Sequence, residues 1–168
     1  MSHLGIDHNS IENRALDVLD AYGIKEPVVD VAKIAKGEGI EIKETIMPKG
    51  YESVAGFYDK NKKTIYIRSE DPAKRKLFSV AHELGHHFLG HKNYTVLFRV
   101  PKDNVAEYPA EESAANSFAA HLLMPTFMLR DYMSKYQLGK SDYEVLSDIF
   151  GVPVPAMRHT LEYLKQDA

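Results

Sequence analysis

Apolar positions near the start of the chain recur at three- and four-residue spacing. Ile11, Ala15, Leu16, Val18, Leu19 and Tyr22 predict one face of a helix, with Ser10 as its N-cap and Gly23 as its stop. Residues 1–9 are polar and lie outside that pattern. Pro27 opens a second predicted helix carrying Val28, Val31, Ile34 and Ala35, halted by Gly37 and Gly39. The period then changes from helical to alternating. Ile40 to Lys43 reads as a strand. Ser53–Tyr58 and Thr64–Arg68 read as two more, joined by the polar turn 59–63 as a hairpin.

Asp71-Pro72 marks the start of a long helix running to about Gly90. A less regular stretch follows from Asn93 to Tyr108. Another long helix is expected over Ala110 to Leu123, ended by Met124-Pro125. Residues 126–137, 142–150 and 154–165 predict three further helices, separated by Gly139, Gly151 and Pro153. Helices, then a small sheet, then helices is the order of an α+β fold. No repeat or low-complexity linker interrupts it, so residues 1–168 read as a single domain, with 126–168 as a helical C-terminal part suited to docking a partner.

Composition narrows the chemistry. A length of 168 residues, 44% of them apolar, is enough to build a hydrophobic core. The net charge of −3 gives no support to phosphate-backbone or anionic-membrane binding. Cysteine is absent, so a bound metal must be held by histidine and carboxylate. There is no signal-peptide pattern and no apolar run long enough to span a bilayer, so a cytoplasmic protein is expected. Nothing in the sequence sets the oligomeric state.

The candidate chemistry sits on the long helix after Pro72. Ala81-His82-Glu83-Leu84-Gly85-His86 contains H-E-x-x-H. At 3.6 residues per turn, His82 and His86 project about 40° apart and can reach one metal ion. Glu83 projects about 60° from His86, beside that ion. There it can act as a general base, which is the division of labour in metal-assisted hydrolysis. Leu77, Ala81, Leu84 and Phe88 fall on the opposite side. Phe78 and Leu89 widen the apolar arc, so the helix is expected to be central and buried. Ser79 and Gly90 share the metal side, where small residues leave space.

Catalytic zinc takes three protein ligands and an open position. On the next long helix, Glu112 and Asn116 are four apart on one stripe, continued by Ala119 and Leu123. Glu112 is the favoured third ligand, with Asn116 orienting a ligating imidazole through its other ring nitrogen. Glu111 and Glu107 are the competitors, and acidic residues in a first helical turn also have a purely structural use. His87 projects to one side of the metal face. His91, projected along a continuing helix, faces away and reads as a helix-terminal cation or cap. His121 is nearly opposite Glu112, and His3, His8 and His159 have no motif around them.

VAHELGHHFLGH, then EESAANSFAAHLLMP with Glu112 placed 26 residues after His86, resembles the ImmA/IrrE metallopeptidase family. The AGFYDKNKKTIYIR hairpin and the PVVDVAKIAKGEGIEI segment are similar to that family as well, so the likeness spans about residues 10–125. The resemblance implies a zincin-like fold: a small, mostly antiparallel sheet, a central H-E-x-x-H helix and surrounding helices. It assigns His82, His86 and Glu112 to zinc and Glu83 to catalysis. It also implies a protein substrate, a helix-turn-helix repressor controlling a mobile element or stress-response genes, supplied as a separate chain.

Manganese, cobalt or iron could occupy the same ligands. Tyr94, Arg99, Tyr108 and His121 are candidates for stabilising an oxyanion. Ser53–Tyr58 is the expected edge strand along which an extended substrate adds. Two rival functions stand beside hydrolysis. One is a zincin-shaped sensor that binds without cleaving. The other is DNA binding through a helix-turn-helix formed by residues 142–165, where only Arg158, His159 and Lys165 suit a groove and Glu162 opposes them.

Overall fold

The computed structural model describes residues 8–91 and 110–164. The chain runs α1 (His8–Ala21), α2 (Val31–Gly37), β1 (Glu41–Thr45), β2 (Gly56–Asp59), β3 (Thr64–Arg68), α3 (Ala73–Phe88), α4 (Ala110–Leu123), α5 (Thr126–Lys135), α6 (Tyr143–Phe150) and α7 (Val154–Tyr163). The fold is α+β, as the change of period predicts.

Each boundary has a local cause. The second helix starts at Val31 instead of Pro27, because the Asp30 carboxylate caps it by accepting from the Lys33 N–H at 3.0 Å. Helix α5 stops at Lys135, where Gln137 turns to a φ of 53° and the Leu138 N–H returns to the Met133 carbonyl.

The sheet has the order β1-β3-β2. The predicted hairpin is there: β2 and β3 pair antiparallel, with Phe57 opposite Tyr66 and the two rings stacked at 4.6 Å. β1, however, pairs with β3 in parallel, Ile42 beside Ile65. The sheet is therefore mixed, not mostly antiparallel. After β1 the chain crosses through residues 46–55 to the far edge, and the hairpin brings β3 back between the other two strands. Alternation predicts each strand but not which neighbour it takes.

One face of the sheet packs on α3 through Tyr58, Ile65 and Ile67, all buried. Helix α4 is held between α3 and α1. Leu84 from α3, Phe118 and Leu122 from α4, and Ala15 and Leu19 from α1 are almost wholly shielded there. Truncating a buried residue such as Phe118 to alanine is expected to cost about 3–5 kcal/mol. Leu146, Phe150, Met157 and Leu161 bury α6 and α7 against the same core. Lys74 ties the start of α3 to α6 through Ser147, at 3.2 Å, and Asp148.

Candidate metal centre

Helix α3 is buried without a break from Ser79 through His86, as its apolar arc predicts. His82 and His86 point from adjacent turns towards α4, where Glu112 and Asn116 share a stripe. Close approach of the two helices makes this reach available. A Cβ added at Gly85 would lie 3.0 Å from the Ala115 carbonyl oxygen and 3.3 Å from the Phe118 Cβ. Glycine costs α3 some helix propensity, but here it lets the backbones approach.

Two ring nitrogens and two carboxylate oxygens meet across that interface. His82 Nε2 lies 3.0 Å from Glu112 Oε2, His86 Nε2 lies 3.0 Å from Glu112 Oε1, and the two Nε2 atoms are 3.2 Å apart. Two ligands on a tetrahedral ion with bonds of about 2.0 Å are ~3.3 Å apart, so each of these spacings suits a pair of ligands on one ion, and one ligand atom from each of the three residues lies within 4.8 Å of the other two. His82, His86 and Glu112 form the one group of metal-holding geometry found among the described residues. Glu111 is not part of it.

The outer hydrogen bonds explain why these atoms face inwards. His82 Nδ1–H donates to Asn116 Oδ1 at 2.6 Å. An amide oxygen only accepts, so in the neutral ring the proton is on Nδ1 and the Nε2 lone pair faces Glu112. His86 makes its outer contact to His91, Nδ1 to Nδ1 at 2.8 Å. With His86 likewise protonated at Nδ1, both Nε2 lone pairs and the Glu112 carboxylate face inwards, an arrangement that a cation can bridge. The donor set fits a divalent ion of the zinc type.

Glu83 is wholly buried one residue after His82. Ser79 is buried too, and strand β2 passes beside it: a Cβ at Gly56 would be 3.8 Å from the Ser79 Cβ. The small residue at 79 therefore makes room for β2, which is an edge strand of the sheet. Tyr94, Arg99, Glu107 and Tyr108 lie outside the described residues. His121 is half-buried on α4 and is not part of the metal-holding group.

His91 departs from its expected place. Projection along a continuing helix turns it away, but α3 does not continue. Gly90 takes a φ of 68°, its N–H returns to the His87 carbonyl at 3.2 Å, and the His91 N–H returns to the His86 carbonyl at 3.2 Å. That is a Schellman ending, in which the second residue past the cap folds back on the third from the end. Burial holds the His91 imidazole below the ordinary histidine range, against the opposing pull of Glu111 and Glu112. The signal for this turn in the sequence is the glycine that precedes the histidine.

His87 belongs to a different cluster. Its Nε2–H donates to Glu38 Oε1 at 2.9 Å, and its Nδ1 faces the Tyr58 hydroxyl at 3.5 Å. The Tyr22 hydroxyl donates to the other Glu38 oxygen.

An α+β scaffold that sets an H-E-x-x-H helix against a glutamate on the next helix defines a zincin-like, metallopeptidase-type domain. Residues 35–162 match the peptidase family described as the IrrE N-terminal-like domain, and the chain belongs to that family. A solved structure with a similar fold is a Mycobacterium tuberculosis transcriptional regulator, at 16% identity and a TM-score of 0.66. The alignment covers 94% of this chain and 48% of that one, so this chain spans about half its length. No curated protein matches. Among the described residues no helix is long and apolar enough to cross a membrane.

Proposed function

We propose that this chain is a zinc-dependent peptidase acting on a protein substrate. The observation that carries the reading is the convergence of His82 Nε2 and His86 Nε2, 3.2 Å apart, on the Glu112 carboxylate, each 3.0 Å from one of its oxygens, with the buried Glu83 next in sequence to His82. Membership of a peptidase family supports it.

Zinc held there supplies a Lewis acid that polarises a peptide carbonyl and acidifies water. Glu83 is the general base: its carboxylate takes the proton of the attacking water and hands it to the leaving amine nitrogen. Asn116 holds the His82 ring in one tautomer. An extended substrate adds along β2, the edge strand that passes Ser79 one turn before His82.

The substrate we favour is a helix-turn-helix repressor in the cytoplasm, and we treat residues 1–168 as one catalytic domain. The family resemblance motivates this choice. Direct DNA reading by α6 and α7 is disfavoured, because Arg158 lies over the Tyr143 ring at 4.5 Å and the apolar faces are buried in the core.

The test is incubation of the purified chain and zinc with candidate repressors, read by mass spectrometry. Wild type is expected to give discrete fragments. Glu83→Gln is expected to retain metal and give none. Identical fragments from Glu83→Gln would overturn the assignment, and repressor binding without fragments would favour the sensor reading.

A further inference from the structure

We propose that His91 is the positioning residue for His86, accepting the His86 Nδ1–H hydrogen bond and so turning the His86 Nε2 lone pair into the metal site. The inference rests on the metal-site reading above and adds to it a residue outside the H-E-x-x-H and Glu112 pattern.

The geometry begins with the backbone. Helix α3 ends with Leu89 as its C-cap, and Gly90 follows in the left-handed region at a φ of 68°. The paired returns from Gly90 to His87 and from His91 to His86 fix the turn. In such an ending, the residue after the glycine commonly packs its side chain on the third residue from the helix end. Here those two residues are His91 and His86, and the contact is polar: Nδ1 to Nδ1 at 2.8 Å, with ring centroids 5.0 Å apart.

Two ring nitrogens at that distance share one proton. For Nε2 of His86 to ligate, the proton must be on His86 Nδ1, which makes His91 Nδ1 the acceptor and places the His91 proton on Nε2. His86 itself is 2% exposed, so water does not readily replace this partner.

The two ligating histidines are thereby oriented by different means. His82 depends on Asn116, which comes from α4. His86 depends on a residue five positions along its own chain, through a turn that forms locally.

The experiment uses the full chain. Metal affinity is measured by chelator competition, and the His86 tautomer in the metal-free protein by nitrogen-15 NMR. His91→Ala is expected to weaken zinc about 10–100-fold and to mix the His86 tautomers. His91→Asn, whose amide oxygen can accept, is expected to restore much of both. Gly90→Val strains the left-handed turn and is expected to weaken zinc without touching a ligand, whereas Gly90→Asn tolerates that conformation. Unchanged affinity and an unchanged tautomer in His91→Ala would overturn the proposal. Failure of wild type to bind any divalent ion would overturn the metal reading instead, while the tautomer measurement still decides the role of His91.

Discussion

Two polar clusters lie on neighbouring faces of α3, built from the same residue types. In the first, His82 and His86 meet Glu112; in the second, His87 meets Glu38. Their hydrogen bonding differs. Around Glu38 every acceptor meets a donor: the Tyr22 O–H and the His87 Nε2–H each donate to one carboxylate oxygen, and Tyr58 faces His87 Nδ1. Around Glu112, His82 Nδ1–H donates outwards to Asn116, His86 Nδ1 faces His91, and both Nε2 atoms converge inwards on the carboxylate. A polar cluster satisfied by its own protons holds structure together; one that gathers lone pairs is built for a cation. Composition does not separate the two, but the direction in which the ring nitrogens face does.

The largest expected effect breaks the first cluster. Zinc at about 100 times its Kd should stabilise wild type by ~2.7 kcal/mol. Glu112→Ala should abolish that increment, and metal analysis after dialysis should find little zinc retained. A variant that keeps both would remove Glu112 from the ligand set. Asn116→Ala should act more weakly, lowering zinc affinity about 10–100-fold by releasing the His82 ring. Chelator competition measures it, and an unchanged affinity would leave Asn116 a packing residue.

Gly85→Ala tests the helix approach that both ligand helices need. The added Cβ meets the Ala115 backbone, so overpacking should cost about 1–3 kcal/mol, partly offset by ~1 kcal/mol of helix propensity. Denaturant melts read the stability, and zinc affinity should fall with it. A stabilised variant with intact affinity would show that α3 and α4 have slack.

Helical spacing is local and rigid, so the projections of His82, His86, Glu112 and Asn116 can be read directly, and the structure brings those side chains together. Projection misplaces His91 because it runs through Gly90, where the helix reverses. The parallel pairing of β1 with β3 is not legible either, since alternation defines a strand's faces but not its neighbour. The Tyr22–Glu38–His87–Tyr58 chain joins residues from four separate parts of the fold, and no periodicity links them.

The smallest effect probes that second cluster through pH. Burial would raise the Glu38 carboxyl, but hydrogen bonds from Tyr22 and His87 outweigh it and hold the group below its ordinary value of 4.5. Its stabilising contribution is therefore present above that value and lost as pH falls through the lower folded one. Tyr22 behaves in the opposite sense. Its hydrogen bond to Glu38 raises the phenol from 10.0 to about 12, so the folded state holds the proton more tightly. That contribution is complete below pH 10 and disappears as pH rises through about 12. Tyr22→Phe should cost about 0.5–1.5 kcal/mol at neutral pH and flatten the alkaline loss of stability across that window. Denaturant melts over the window measure it, and zinc affinity at neutral pH should stay at the wild-type value. Weakened zinc binding in Tyr22→Phe would mean that the two clusters are coupled through α3 and that the distinction between them fails.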